Sequence, residues 1–320
     1  MLTRDQYLDL IHETITSLRL PDAPAGLYQP IAYALDCGGK RLRPMLVLAA
    51  ADACGLDPHL AASQALAVEM FHNFTLLHDD VMDRADMRRG RPTVHVKWNE
   101  NTAILSGDAM LTLATEILAV NAAECLPRLL AMFNKTAMEV YEGQQLDMEF
   151  ECRSDVSVDE YMRMISLKTS VLLGGACAVG AIRAGADDDR MKALYDFGHM
   201  LGLAFQLRDD WLDTFGDPAV FGKSIGGDIL NAKKTWLLIK ALESDTTGEL
   251  RRWLDEDNDP EGRIAGVTAV YRRLGLDKAC LREINTYVDK AIASVRSAGL
   301  PADAQEFFID LAERSRERVN

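Results

Sequence analysis

Apolar residues recur three and four positions apart along most of the chain, as in ASQALAVEMFHNFTLL (62–77) and AILSGDAMLTLATEILAV (103–120). That spacing gathers them on one face of a 3.6-residue helix, and clean two-residue alternation is absent, so an all-α fold is predicted. Helix breaks are expected near Gly38, Pro58, Gly90, Pro127, Asp155, Gly185, Asp217 and Asp257. No proline falls between Pro127 and Pro218, which leaves room for several uninterrupted helices. In LLGGACAVGAIRAGA, Gly174, Gly175 and Gly180 read as places where helices pack closely. Asp187 to Asp189 follow Gly185 and read as a helix start without chemistry.

The chain has 320 residues, 48% of them hydrophobic, enough for a large core. No run of Pro, Gly and Ser reads as a linker, so one domain over 1–320 is expected. A net charge of −14 argues against nucleic acid and anionic membrane surfaces as partners. The six cysteines, at 37, 54, 125, 152, 177 and 280, form no CxxC pair and read as reduced packing residues. The N-terminus MLTRDQYLDLIHE reads as an amphipathic helix rather than a leader, and no uninterrupted apolar stretch reads as long enough to span a bilayer. A cytoplasmic protein is the expectation.

Against this background two acidic runs stand out: LLHDDVMD, with Asp79 and Asp83, and QLRDDWLD, with Asp209 and Asp213. Residues four apart on a helix lie ~40° and ~6 Å from each other, so each pair lines one stripe. Like charges among apolar neighbours must be paired, protonated or metal-bound. Oxygen donors without cysteine or paired histidine favour a hard cation such as Mg²⁺, whose shell is completed by substrate phosphates. The two stripes therefore suggest a diphosphate held through metal ions between two helices. Bound metal would also make an acidic pocket attractive to an anion.

Basic clusters complete the pattern. GGKRLRP (38–44) sets Lys40, Arg41 and Arg43 behind two glycines, a corner suited to phosphate. RADMRRGRPTVH places Arg88 and Arg89 just beyond the first acidic run, as clamps for the same anion. Lys168 and Thr169 lie within an apolar run where a lysine needs a partner, and Lys223 and Lys233 flank GGDI.

Taken in order, GGKRLRP, HNFTLLHDDVMD, MRRGRPTVH, GQQLD, SLKT, FQLRDDWLD and GKSIGGDI make the chain resemble the trans-isoprenyl diphosphate synthases of the polyprenyl synthetase family, from about Tyr28 to Lys240. The resemblance implies a single-domain isoprenoid synthase-type helical bundle with a central cavity, usually a homodimer. It implies that Asp79, Asp83 and Asp147 are Mg²⁺ ligands and that Asp209 binds a third Mg²⁺, with Asp210 and Asp213 acting through water and lysine. It implies that Arg88, Lys168, Lys223 and Lys233 hold the allylic diphosphate, and that Lys40, Arg43, His72 and Arg89 hold isopentenyl diphosphate. Thr169 and Gln206 resemble the groups whose oxygens face the allylic cation.

A terpene cyclase, a non-catalytic synthase subunit and a metal-dependent phosphohydrolase are the competing readings. The intact DDWLD and GGKRLRP, and the lack of the usual histidine ligands, count against them. Product length is read from α-helical spacing before Asp79. Ideal geometry favours Thr75, four residues back, as the floor under the growing tail, while the resemblance favours Phe74, five back. An aromatic there, with nothing inserted in DDVMD, is similar to fifteen- to twenty-carbon synthases. Geranylgeranyl diphosphate is then the expected main product, with farnesyl or longer polyprenyl diphosphates as alternatives.

Overall fold

The computed structural model describes residues 1–217, 225–255 and 259–317, and these are helical almost throughout. They divide between two compact units, each assembled from two segments of the chain.

The first unit takes Met1–Asn134 and Ala176–Leu194. Its helices are α1 (Arg4–Ser17), α2 (Ala25–Asp36), α3 (Leu42–Ala53), α4 (Ala62–Met82), α5 (Glu100–Leu118) and the first part of α6 (Leu126–Glu151). Thr3 closes a capping box with Gln6 at the start of α1, and Asn99 accepts from the Thr102 amide at the start of α5. α3 is apolar all round and buried all round, from Pro44 to Ala51, which makes it a core helix. Gly180 faces it so closely that a Cβ would overlap the Val47 carbonyl oxygen and lie 2.9 Å from the Ala50 methyl. α4 supplies the other wall of this core with Leu66, Met70, Phe71, Phe74 and Leu77. Each such side chain stabilises the unit by about 1.5–3 kcal/mol when fully buried.

A short ribbon, β1 (Met87–Arg88) and β2 (Arg91–Pro92), pairs Arg88 with Arg91. Arg89 and Gly90 form its two-residue turn with φ of 51° and 75°, the two positive values that a type I′ turn needs. Strands this short carry no readable alternation, so periodicity predicts only the break at Gly90.

The second unit takes Lys135–Gly175 and Tyr195–Asn320. It contains the rest of α6, α7 (Val158–Ile165), a π-turn (Ser166–Ser170), the start of α8 (Val171–Arg183) and most of α9 (Asp188–Phe215). α10 (Trp236–Ser244), α11 (Glu249–Asp255), α12 (Pro260–Arg273), α13 (Leu276–Ser297) and α14 (Ala302–Glu317) complete it. The Phe197 and Phe308 rings meet edge to face at 5.0 Å in its core. Gly174 and Gly175 are close-approach points, where a Cβ would lie 2.9 Å from the Tyr195 carbonyl and 2.7 Å from the Thr136 hydroxyl.

The expected breaks fall between helices or at their starts, except Asp257, which lies outside the described residues. Asp187 accepts from the Arg190 amide at 2.8 Å and opens α9, as a helix start should. None of the six cysteines forms a disulfide. Val158–Arg183 is a helical run long and apolar enough, by length and composition, to cross a membrane. Lys168 and Thr169 divide it in the sequence, whereas the backbone coils on through them, and most of its apolar part is buried inside the protein.

Candidate active site

Asp79 and Asp83 belong to the first unit, Asp209 and Asp213 to the second. α4 ends at Met82, with Asp83 its C-cap at φ −82° and ψ −6°, so the predicted stripe survives to the last turn. Three carboxylates at the negative end of a helix dipole, without a basic residue in that turn, create a local demand for cations. The motif's second aspartate, Asp80, is buried, while Asp83 is exposed and Asp79 half-buried. Asp80 accepts from Arg88 Nε at 2.8 Å and pairs with Nη2 at 2.7 Å.

The ribbon sends its two adjacent arginines in different directions. Arg88 reaches α4, whereas Arg89 donates to the Gly38 carbonyl and packs on Gly39, where a Cβ would lie 2.7 Å from its guanidinium. The ribbon is docked on α2 by Arg91, which pairs with Asp36 at 2.9 Å and covers the Tyr33 ring, and by the Tyr33 hydroxyl donating to Pro92 O. Within GGKRLRP, Arg41 departs from the expected phosphate corner. It adopts φ 48° and turns inward to pair with buried Glu69. Asn73 closes the same group by donating to the Glu69 carboxylate. Removing one partner of such a buried pair costs about 3–5 kcal/mol, so Arg41 ties α3 to α4, while Lys40 is exposed.

Arg43 Nη1 lies 3.1 Å from His72 Nε2. A guanidinium can only donate, so that nitrogen accepts and the imidazole is neutral. Burial, then Arg43, Arg89, Arg88 and Arg41, hold the His72 pKa well below its ordinary value. His72 is thus one of a cluster whose common requirement is an anion. The unfolded chain protonates His72 below about pH 6.5 while the folded one does not, so stability is lost as pH falls through that window. Unfolding midpoints between pH 7.5 and 5.5 are expected to fall more steeply in the wild type than in His72→Gln; parallel slopes would contradict the buried neutral imidazole.

Beneath Asp79, Phe74 is buried against Phe71 at 5.6 Å and His78 at 4.8 Å, and Phe71 in turn meets Phe133 at 5.2 Å. His78 contacts the Ile104 carbonyl at 3.0 Å, in the space left by Gly107. Thr75 is half-buried, its hydroxyl donating to His72 O at 2.8 Å.

The second unit repeats the burial pattern of the first. Asp210, the second aspartate of its motif, is buried, with Asp209 and Asp213 half-buried. Tyr161 donates to Asp210 Oδ2, Gln206 donates to Oδ1 at 3.0 Å, and Thr169 donates to Gln206 Oε1 at 3.2 Å. This chain of bonds fixes the Thr169 and Gln206 oxygens. Lys168 pairs with Asp147, the partner its apolar run requires. Asp228 is the site residue that the sequence reading left without a role, although it sits in the quoted GGDI. Its amide donates to Asp213 at 2.9 Å. Burial raises its pKa, Lys233 opposes that, and Asp213, Asp147 and Asp209 raise it further. Burial likewise raises that of Asp210, with Asp228 adding to the effect. Lys223 lies outside the described residues.

The polyprenyl synthetase family profile matches residues 24–271, three quarters of the chain and every motif named above. The chain belongs to the polyprenyl synthetase family. A geranylgeranyl diphosphate synthase of Methanosarcina mazei is 46% identical over 226 residues, covering 69% of this chain and 68% of that protein. A crystal structure of geranylgeranyl pyrophosphate synthase matches at TM-score 0.95 and 44% identity, with 100% of both chains covered. A polyprenyl synthase from Caulobacter crescentus CB15, crystallised with calcium and isoprenyl diphosphate, matches at TM-score 0.87 and 30% identity, covering 99% of this chain and 96% of that one.

This polyprenyl synthetase is a prenyltransferase of isoprenoid biosynthesis, a short-chain prenyl diphosphate synthase. The all-α expectation and the family resemblance are both borne out. Family membership implies isopentenyl and allylic diphosphates as substrates and a divalent metal as cofactor. The donor set fits such a metal. It consists of carboxylate oxygens, and in the second unit burial first, then the charges of Asp213, Asp147 and Asp209, raise the Asp228 pKa while Lys233 opposes them. Among the described residues no three His, Cys, Asp or Glu side chains make a ready cage.

Proposed function

We propose that this synthase makes geranylgeranyl diphosphate as its main product, with farnesyl diphosphate next, by adding isopentenyl diphosphate to an allylic primer with Mg²⁺. The observation that carries the length assignment is the buried Phe74 ring. It lies five residues, about 7.5 Å along the helix, before Asp79, and is braced by Phe71 and His78. Several relatives bearing the geranylgeranyl name support it.

In this reading Asp79, Asp83, Asp147 and Asp209 hold the Mg²⁺ ions, three in all. Bound there, Mg²⁺ supplies positive charge to the departing diphosphate. Arg88, Lys168, Lys223 and Lys233 hold that diphosphate as its charge develops, which favours the transition state over the ground state. Lys40, Arg43, His72 and Arg89 hold isopentenyl diphosphate, whose double bond attacks the allylic carbon. The Thr169 and Gln206 oxygens present negative partial charge to the allylic cation, and apolar walls exclude the water that would trap it.

We read all of 1–320 as one catalytic domain, since neither unit is a continuous stretch of sequence. A homodimer is part of the proposal, and the exposed apolar side chains of Ile104 and Leu105, at successive positions on α5, support it. So is a cytoplasmic location, consistent with six cysteines outside any disulfide.

Labelled isopentenyl diphosphate with dimethylallyl, geranyl or farnesyl primers, followed by chromatography of the dephosphorylated alcohols, tests the assignment. Twenty-carbon alcohol should dominate. Phe74→Ala is expected to lengthen the products and Thr75→Phe to shorten them; unchanged lengths in both would move the floor to another helix.

A further inference from the structure

Ser166–Ser170 is a π-turn set into an otherwise α-helical run, with the Val171 amide donating to Ser166 O, five residues back. A turn of this kind sacrifices regular helical bonding and persists where its surroundings over-determine it. Here it carries Lys168 to Asp147 and Thr169 to Gln206. A regular α-turn would rotate both side chains off those partners.

Three contacts hold the turn. On α6, Gly143 lets the helix backbone touch it; a Cβ would overlap the Lys168 nitrogen and lie 2.6 Å from its Cα. On α9, Gly202 does the same, its would-be Cβ 2.5 Å from Ser170 Cα. These two set how close the turn lies and leave its rotation open. The third contact is directional: Ser166 Oγ and His199 Nε2 lie 2.7 Å apart. His199 is on α9, three residues before Gly202, and the Tyr195 ring stacks on it at 5.9 Å with planes 13° apart. Burial lowers the pKa of His199, which favours the neutral ring and a hydrogen bond with the serine hydroxyl. Neither residue belongs to the metal or diphosphate set above.

We propose that Ser166 and His199 are a positioning pair that fixes the rotation of the π-turn and so aims Lys168 and Thr169 at the reacting end of the allylic substrate. The inference rests on the roles assigned to Lys168 and Thr169 above. Loss of the bond lets the turn relax, misplaces both groups, and admits water to the allylic cation.

The test uses the full-length enzyme with Ser166→Ala, Ser166→Thr, His199→Leu and His199→Gln, and Lys168→Ala as reference. A misplacement on the order of 1 Å costs up to about a hundredfold, so Ser166→Ala and His199→Leu should lower kcat about tenfold or more. KM for the allylic primer should rise, KM for isopentenyl diphosphate should stay within about twofold, and more primer should end as free prenyl alcohol. Ser166→Thr and His199→Gln, which keep a hydrogen-bonding group, should recover most of the loss. A merely structural role would lower the melting temperature without splitting the two KM values and without rescue. Ser166→Ala within about twofold of wild-type turnover, with Lys168→Ala crippled, would overturn the pair and leave the site reading intact. Near wild-type turnover in both would overturn that reading itself.

Discussion

Replacing Asp79 or Asp209 by alanine is expected to lower kcat at least about a hundredfold, the scale of losing a group that stabilises transition-state charge. Asp79 lies in the last turn of α4 among other carboxylates and without a basic residue in that turn, where a negative side chain opposes the helix dipole by about 0.3–1 kcal/mol. Asp209 contributes to the crowding that raises the Asp228 pKa. Both variants are expected to remain folded, with a cooperative melting transition, while failing to turn over, a separation that unfolding cannot mimic. Steady-state rates at saturating substrate and metal, with melting curves on the same samples, check it. Activity within a few-fold of wild type in both variants would withdraw the metal assignment.

Gly143→Ala should have the second largest effect, and here stability and activity should fall together. The added methyl meets the backbone of Lys168 rather than a flexible side chain, so α6 or the π-turn must move. Overpacking of this kind costs about 1–3 kcal/mol, and any shift of the turn carries Lys168 and Thr169 with it. The expected result is a lower denaturant midpoint with kcat reduced at least about tenfold. Wild-type values of both would show that the backbones have room to part.

Helices and their starts were legible because their causes are local. A 3.6-residue apolar period, a capping threonine or asparagine, and a glycine at a break act within one turn of chain. The spacing of the two aspartate pairs was legible for the same reason. The order of motifs from GGKRLRP to GKSIGGDI was enough to name the family, which the match over 24–271 bears out. Less legible was which member of each motif would be buried. Asp80 and Asp210 are the buried ones, because Arg88, from the ribbon, and Tyr161, from α7, come to them from elsewhere in the chain.

Local sequence by itself determined that this protein is helical, where its helices start and which acidic and basic side chains share a stripe. Tertiary structure alone decided the rest. It turned Arg41 inward to Glu69, made a ribbon of four residues too short to show alternation, gave Asp228 its carboxylate neighbours, and bent Ser166–Ser170 into a π-turn. The physical reason is common to these cases. An inward arginine, a type I′ turn and a fifth residue in a helical turn each differ from their local alternatives by little energy, and what selects them is burial, charge pairing or close backbone packing supplied by residues distant in sequence.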